Sequence, residues 1–427
     1  MSTSHAPVRK PAFKAVVATV IGNALEFYDF VTYAFFAVYI GKTFFPATDP
    51  MTSLLLSVAV FGVGFFSRPL GGVIIGAYAD KAGRKPALLL TIALITIGTI
   101  GVAATPSYAA IGIAAPIIVV LSRLVQGLGL GGEIGPSSAF LIESAPDGKR
   151  GTYGSWLLGS QGLATLVAGA IGVGISSVLS VEELQAWGWR IPFLMGLLII
   201  PVALYLRRNM DETLHDLPGH NDSERAPTAL ASYSKTRLYV GGTLAILGGT
   251  VATYLGNYMT TYAISQLKFP PTTALVATVV VGIATLVFAL VGGILSDTMG
   301  RKITMLWPRV LAVFLVVPLF SWLITEKTAF ALFSVTFILA ATTALSGAAT
   351  LVAIPEMFPR KGRALAMAII YAVGVAIFGG TTQAVVTWLI QVTGSPMAPA
   401  WYVAATSVLC AIGMLILPET KSDRLEH

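Results

Sequence analysis

The chain has 427 residues, 55% of them hydrophobic and only 11% charged, where a soluble domain carries about a quarter charged residues. That composition excludes a soluble globular enzyme, and the single cysteine, Cys410, excludes an internal disulfide. The net charge of +7 leaves nucleic acid open as a partner on charge alone, until the charges are placed along the chain.

After the polar start MSTSHAPVRKPAFK, which shows no cleavable signal peptide, apolar runs of membrane-crossing length follow one another. Twelve spans are predicted, at roughly 14–40, 51–78, 86–105, 111–143, 151–179, 190–206, 239–266, 272–296, 303–324, 330–355, 362–392 and 399–417. The expected fold is an all-α membrane protein of twelve transmembrane helices. With both termini inside, twenty of the 27 basic residues fall in inner segments and only Lys42, Arg190, Lys268 and Lys327 in outer ones. This asymmetry satisfies the positive-inside rule, so the excess charge sets orientation and nucleic acid drops out.

The long polar loop 207–236 divides the spans into two groups of six, 1–206 and 237–427. The groups echo each other. GAYADKAGRK (76–85) recurs as GILSDTMGRK (293–302), and ESAPDGKR (143–150) as EMFPRKGR (356–363), at offsets of 217 and 213 residues. A parallel repeat of this kind places a substrate site at the repeat interface near the membrane midplane.

G-x-x-x-D-x-x-G-R-K, present in both halves, resembles the signature of the major facilitator superfamily, and the likeness covers the whole chain. GNALEFYDF (22–30), SRPLGG (67–72), RLVQGLGLGGE (123–133) and WGWRIPF (187–193) resemble its metabolite–proton symporter family. The stretch from Thr43 to Asp80 most resembles the citrate and tricarballylate carriers of that family. The resemblance implies two pseudo-symmetric six-helix bundles working by alternating access in a bacterial inner membrane, as a monomer with both termini cytoplasmic. It implies a small organic anion and protons as the transported species, with no cofactor. Relatives in the family also carry aromatic acids, shikimate, or zwitterions such as betaine and proline. A long C-terminal coiled coil often accompanies the zwitterion carriers; this sequence ends ten residues after its last span, which favours an acid. An exporter of the drug–proton antiporter type would carry a Gly-Pro motif in the fifth span, where no proline occurs between Pro146 and Pro192.

Charges inside spans are costly, about 2.5–3.5 kcal/mol each on insertion scales, and so mark function. In the first span Asn23, Glu26, Asp29 and Tyr33 share a stripe roughly 120° wide; in the fourth, Arg123, Gln126 and Glu133 lie within about 80°. Asp29 and Arg123 sit at matching depth, so a facing carboxylate–guanidinium pair is expected. It is either a fixed structural ion pair or a protonation switch, in which protonated Asp29 releases Arg123 to bind a substrate carboxylate bidentately. Glu26 is a second proton carrier or a partner for Tyr or Asn on an adjacent helix; Glu133 relays the proton or neutralises Arg68. Every histidine lies in a tail or the central loop, so an intramembrane proton carrier must be a carboxylate.

Arg68 lies about 12 Å from the inner end of its helix and is expected to pair with substrate or a carboxylate. Arg309, in WPRV, reads instead as a snorkelling cation near the inner surface. Gln161, Tyr254, Asn257, Tyr258, Tyr371 and Gln383 supply amides and phenols either to substrate oxygens or to hydrogen bonds between helices. Thr261, Thr342, Thr343, Ser346 and Thr350 extend the same polar stripes. At the inner surface, Asp80 with Arg84 and Asp297 with Arg301 are expected to latch the helix ends. Glu143 with Arg150 and Glu356 with Arg363 are expected to form second latches. GLGLGG (127–132) matches a dinucleotide fingerprint only superficially, having no preceding strand; its glycines are expected to let helices approach. No metal-ligand cluster, nucleophile elbow or phosphate loop is present in the sequence, so energy must come from gradients.

Overall fold

The computed structural model describes residues 13–82, 84–131, 134–208 and 233–421, and among the described residues every regular element is helical. The first predicted span is two helices, α1 (Phe13–Phe35) and α2 (Ala37–Phe44), interrupted at Phe36 with φ −100° and ψ 12°. Helices α3 (Pro50–Ala82), α4 (Arg84–Ala104) and a short α5 (Tyr108–Ile111) follow. In the fourth span the described helices are α6 (Ala114–Leu130) and α7 (Ile134–Glu143). Helices α8 (Arg150–Val178), short α9 (Val181–Ala186) and α10 (Ile191–Arg208) complete the first half. The second half holds α11 (Lys235–Ser265), α12 (Pro271–Met299), α13 (Arg301–Glu326) and α14 (Ala329–Glu356). Its eleventh span is α15 (Arg360–Val373) and α16 (Gly380–Thr393) joined by a π-helical turn over Gly374–Gly379, and α17 (Ala398–Ile416) closes the fold.

Local chemistry starts several of these elements. Asp49 caps α3, its carboxylate accepting the Thr52 hydroxyl at 2.8 Å, the Thr52 amide at 3.0 Å and the Met51 amide at 3.2 Å. Ser180 and Glu183 form a reciprocal capping box on α9, and the Thr328 hydroxyl accepts from the Ala331 amide at the start of α14. Among the described residues, eight helical segments are long and apolar enough to cross a bilayer by length and composition. The large side chains that face outward agree: Val73, Leu198, Phe314 and Phe330 are each more than 70% exposed. Such a surface suits lipid rather than water.

Two seams join the halves. Along one, α8 meets α12 so closely that a Cβ on Gly162 would strike the Leu286 amide, and one on Gly282 the Leu166 amide. Along the other, α3 meets α16, where a Cβ on Gly62 would strike the Gly380 carbonyl. Within the first half the GLGLGG glycines do the same for α6 on α3: Gly127 lies against the Gly64 carbonyl and Gly131 against that of Arg68. Small residues at these points allow backbone contact that replaces the missing hydrophobic drive between helices in lipid. α14 lies innermost, with 83% of its apolar window buried against 39% for α13, and its alanines and threonines are what such crowding requires.

Candidate functional site

The site grows from the stripe on α1. Asp29 is 7% exposed, and its Oδ2 accepts from Gln126 Nε2 at 2.5 Å, while Oδ1 is buried without a partner. The Gln126 Oε1 in turn accepts from Arg123 Nη1 at 2.6 Å, and its Nε2 also donates to Thr99 Oγ1 at 3.1 Å. The expected direct pair between Asp29 and Arg123 is therefore not formed. An amide stands between them, because Gln126 lies one turn after Arg123 on the same face of α6 and reaches α1 first.

Arg123 is held by aromatic faces, 4.5 Å from the Tyr33 ring centroid, 5.3 Å from Phe30 and 5.5 Å from Phe61. Arg68 lies over the rings of Phe65 at 4.2 Å and Phe30 at 4.6 Å. Phe30 thus serves both guanidiniums, and Tyr254 closes the cage from α11 with its ring 5.2 Å from that of Phe65. Cation–π contact of this kind holds a guanidinium in place while leaving N–H groups available. Among the described residues no carboxylate forms an ion pair with either arginine. Pro69, directly after Arg68, removes an amide donor from α3 at this level.

Several expected site residues are committed elsewhere. Asn23 uses both amide hydrogens on α8, to the Leu157 carbonyl at 2.9 Å and Ser160 Oγ at 2.7 Å, so it ties helices together instead of facing a cavity. Tyr33 donates to the Ser57 carbonyl at 3.2 Å, and its contribution to the cage is its ring. The Tyr258 hydroxyl pairs with Thr387 at 2.8 Å, bridging α11 to α16. Thr261 bonds the Ala34 carbonyl at 3.1 Å, and Ser346 that of Met305 at 2.7 Å. Glu26 is buried and partnered. Gln383 is fully buried with both amide atoms unpartnered, away from the cavities described next. Glu133 lies outside the described residues.

Among the described residues, cavities of about 60 and 30 Å³ lie between the halves. Gln161 and Thr343 line both; Asn257 lines the smaller, with its Nδ2 buried and unpartnered; Tyr254 and Tyr371 line the larger. Arg309 also lines the larger cavity. It does not snorkel: the side chain is 1% exposed, and its one hydrogen bond among the described residues is a long 3.5 Å contact to the Gly248 carbonyl. These volumes are well below the roughly 300 Å³ at which ligand sites begin.

Hydrogen bonds and ion pairs join the halves at both ends. At the end bearing the basic loops, Glu356 is the hub: it accepts Arg301 Nε and Nη2, each at 3.1 Å, and Arg150 Nη1 at 3.2 Å. Arg301 also donates to Asp297 at 2.8 Å, and Asp297 receives the Gly151 and Thr152 amides at the start of α8 at 2.7 and 2.8 Å. Arg363 pairs with Glu143 at 2.8 Å. The second latches are thus crossed: Glu143 pairs with Arg363 and Glu356 with Arg150, each across the halves, because facing helix ends bring unlike partners closer than their own loops do. The side chains of Asp80 and Arg84 lie outside the described residues. At the opposite end the joins among the described residues include Gln391 to Asp49 and Thr52, each at 3.3 Å, Gln266 Nε2 to Met51 Sδ at 3.9 Å, and Thr272 to the Ser176 carbonyl at 3.0 Å.

Similarity to known proteins agrees with this architecture. A family model described as "Sugar (and other) transporter" matches residues 14–238, and one described as "Major Facilitator Superfamily" matches residues 244–427. The chain is 35% identical to a citrate-proton symporter of Salmonella typhi, over 97% of this chain and 96% of that one. It is 36% identical to the alpha-ketoglutarate permease of Escherichia coli K12, over 94% and 93%. The xylose transporter XylE of E. coli, in a partially occluded inward-open structure, superposes with a TM-score of 0.76 at 19% identity, over 97% of this chain and 99% of that one. That likeness speaks for the fold, and with the full-length identities it leads to one conclusion: this chain is a twelve-helix membrane protein and belongs to the major facilitator superfamily.

Proposed function

We propose that the protein is a proton-coupled symporter importing a small organic anion, a di- or tricarboxylate such as citrate or tricarballylate, by alternating access. The observation that carries the reading is the chain Asp29–Gln126–Arg123 beside Arg68: two guanidiniums share one aromatic cage, and one carboxylate reaches them only through an amide. The names of the citrate-proton symporter and alpha-ketoglutarate permease support the substrate class.

The amide explains how a proton could control an anion site. Ionised Asp29 accepts the Gln126 amide N–H, which turns the Gln126 oxygen toward Arg123 and occupies one of its donors. Protonated Asp29 presents a hydroxyl that needs an acceptor, so Gln126 rotates to offer its oxygen to Asp29. Its NH₂ then faces Arg123 donor to donor, and Arg123 is released to a substrate carboxylate. Glu26 and Glu133 supply further protons. Each negative charge carried into a cell negative inside costs about 2.3 kcal/mol per 100 mV, so a substrate of charge −2 or −3 requires at least as many protons for neutrality.

In this reading Arg68, Gln161, Asn257, Tyr254 and Tyr371 contact substrate. Residues 1–206 and 237–427 rock as two bundles joined by the linker 207–236. The Glu356 and Arg363 pairs form the cytoplasmic gate with Asp80 and Arg84. The chain works as a monomer in a bacterial inner membrane, with both termini cytoplasmic, and catalyses no reaction. The test is uptake of labelled citrate, tricarballylate and succinate into proteoliposomes under an imposed pH gradient, for wild type and Asp29→Asn. Concentrative uptake of one acid by wild type, lost in the variant while counterflow survives, supports symport coupled at Asp29; concentrative uptake retained in the variant removes Asp29 from the coupling path. Absence of transport of every acid would reject the carboxylate assignment.

A further inference from the structure

We infer that Arg309 is a second carboxylate anchor, in the half of the chain opposite the Arg123 and Arg68 cage, and that it makes the site select acids carrying two or more carboxylates. The inference rests on the proposed anion symport and adds the ligand's shape to it.

Arg309 sits on α13 two turns above the basic-end latch, 1% exposed. Its Nε and Nη2 are buried without any hydrogen-bond partner, and among the described residues no carboxylate forms an ion pair with it. A buried guanidinium in this condition has lost water and gained nothing equivalent; it persists where a ligand supplies the missing charge. The room is provided by Gly249, whose absent side chain would lie 3.6 Å from Arg309 Nη2. The cavity Arg309 lines also contains Tyr254, and the Tyr254 ring packs on the cage that holds Arg68 and Arg123. The Arg309 cavity therefore abuts the cage through the Tyr254 ring, and Gln161, Thr250, Thr343 and Tyr371 line it as neutral donors. An acid with carboxylates at both ends would engage both and draw the halves together. A monocarboxylate or a zwitterion would leave one guanidinium unmatched, or place an ammonium beside it.

The experiment is counterflow in proteoliposomes without a pH gradient, with labelled citrate competed by tricarballylate, succinate and butyrate. Wild type, Arg309→Gln, Arg309→Lys and Gly249→Val are compared after checking each for monodispersity and unfolding temperature. Arg309→Gln is expected to raise the concentration of succinate or tricarballylate needed for half-competition at least tenfold and to leave that of butyrate within about twofold, with Arg309→Lys restoring most of the preference. Gly249→Val, which crowds the guanidinium without removing it, is expected to erode the preference in the same direction, and it carries the test if Arg309→Gln does not fold. A folded Arg309→Gln or Gly249→Val with the wild-type order and spacing of competitors overturns the inference while the symport reading stands. Failure of wild type to exchange any of the acids overturns both.

Discussion

Replacing Gln126 by leucine tests the amide link directly. The substitution keeps roughly the volume of the side chain and removes its three hydrogen bonds: from Arg123 at 2.6 Å, to Asp29 at 2.5 Å and to Thr99 at 3.1 Å. In the proposed mechanism a substrate carboxylate competes with the Gln126 oxygen for Arg123. A hydrogen bond to a charged group is worth about 1.5–3 kcal/mol net, and 1.4 kcal/mol is about tenfold in affinity. Removing that competitor should therefore tighten citrate binding at high pH, where Asp29 is ionised, by about tenfold. At low pH, where the proposed mechanism has the wild-type amide turned away, the gain should be small. The pH dependence of binding flattens, and with it the coupling: concentrative uptake should fall at least tenfold while counterflow persists. Isothermal titration of the detergent-solubilised protein with citrate between pH 5.5 and 8.5, beside gradient-driven uptake in proteoliposomes, reads both quantities. A Gln126→Leu protein that binds with the wild-type pH dependence and still concentrates substrate would refute the amide as the link.

Two further outcomes follow from local geometry. A Cβ on Gly379, in the π-helical turn, would lie 2.8 Å from Thr250 Cγ2 and 2.9 Å from Tyr254 Cε2; Gly379→Val should push Tyr254 off the aromatic cage and weaken citrate binding about tenfold, with the unfolding temperature lowered by only a few degrees, consistent with overpacking of about 1–3 kcal/mol. Glu419 follows α17: burial pushes its carboxyl up, but amide bonds from Lys302, Lys421, Arg301 and Thr420 outweigh this and hold it below its ordinary 4.5. A depressed carboxyl contributes stability that is present above its unfolded value and lost as pH falls through the folded one. Protection of the start of α13 in hydrogen exchange should therefore be retained at pH 6 and fall below about pH 4.5, and Glu419→Gln should show the reduced protection already at pH 6.

Hydropathy and the paired loop motifs made the twelve spans and the two-half organisation legible, because lipid imposes length and composition on every crossing segment. The depth of Asp29 and Arg123 was equally readable, since counting residues gives height along a helix. Rotation and spacing were not. Asn23 and Asp29 share a stripe, yet the first faces α8 and the second α6, a distinction decided by which neighbours α1 touches. Gln126 was placed on the right face, but its interception of the ion pair depends on the gap between α1 and α6. Arg309 shows the limit most clearly: it lies eight residues beyond Arg301, as deep as Arg68, and only the packing of α13 on α14 and α17 turns it inward. The π-helical turn that brings Gly379 against Tyr254 left no signal beyond a cluster of glycines.

The crossed latches lead to a last test, in which burial decides the size of the effect. Glu143 pairs with Arg363 at 2.8 Å, but its side chain is 37% exposed; water and salt compete, and such a pair is worth about 1 kcal/mol or less. Glu356 is 1% exposed, holds Arg301 through two donors and Arg150 through a third, and also receives the Thr420 hydroxyl at 2.6 Å. Removing its charge leaves Arg301 and Arg150 with a neutral acceptor in a buried setting, where breaking such a pair costs about 3–5 kcal/mol. Of the bonds to Glu356, only that from Arg150 crosses the halves, so part of that cost stays within the second half, and about 3 kcal/mol is the share that opposes opening. Glu356→Gln should therefore shift the equilibrium toward opening at the basic end by about a hundredfold, and Glu143→Gln by fivefold or less. A cysteine at Ser155, buried on α8 against Gly293, reports the opening through its rate of maleimide labelling once Cys410 has been replaced by serine. Equal acceleration by the two variants would mean that the exposed pair carries as much of the closure as the buried hub. The gate would then be governed by the number of ion pairs and not by their burial.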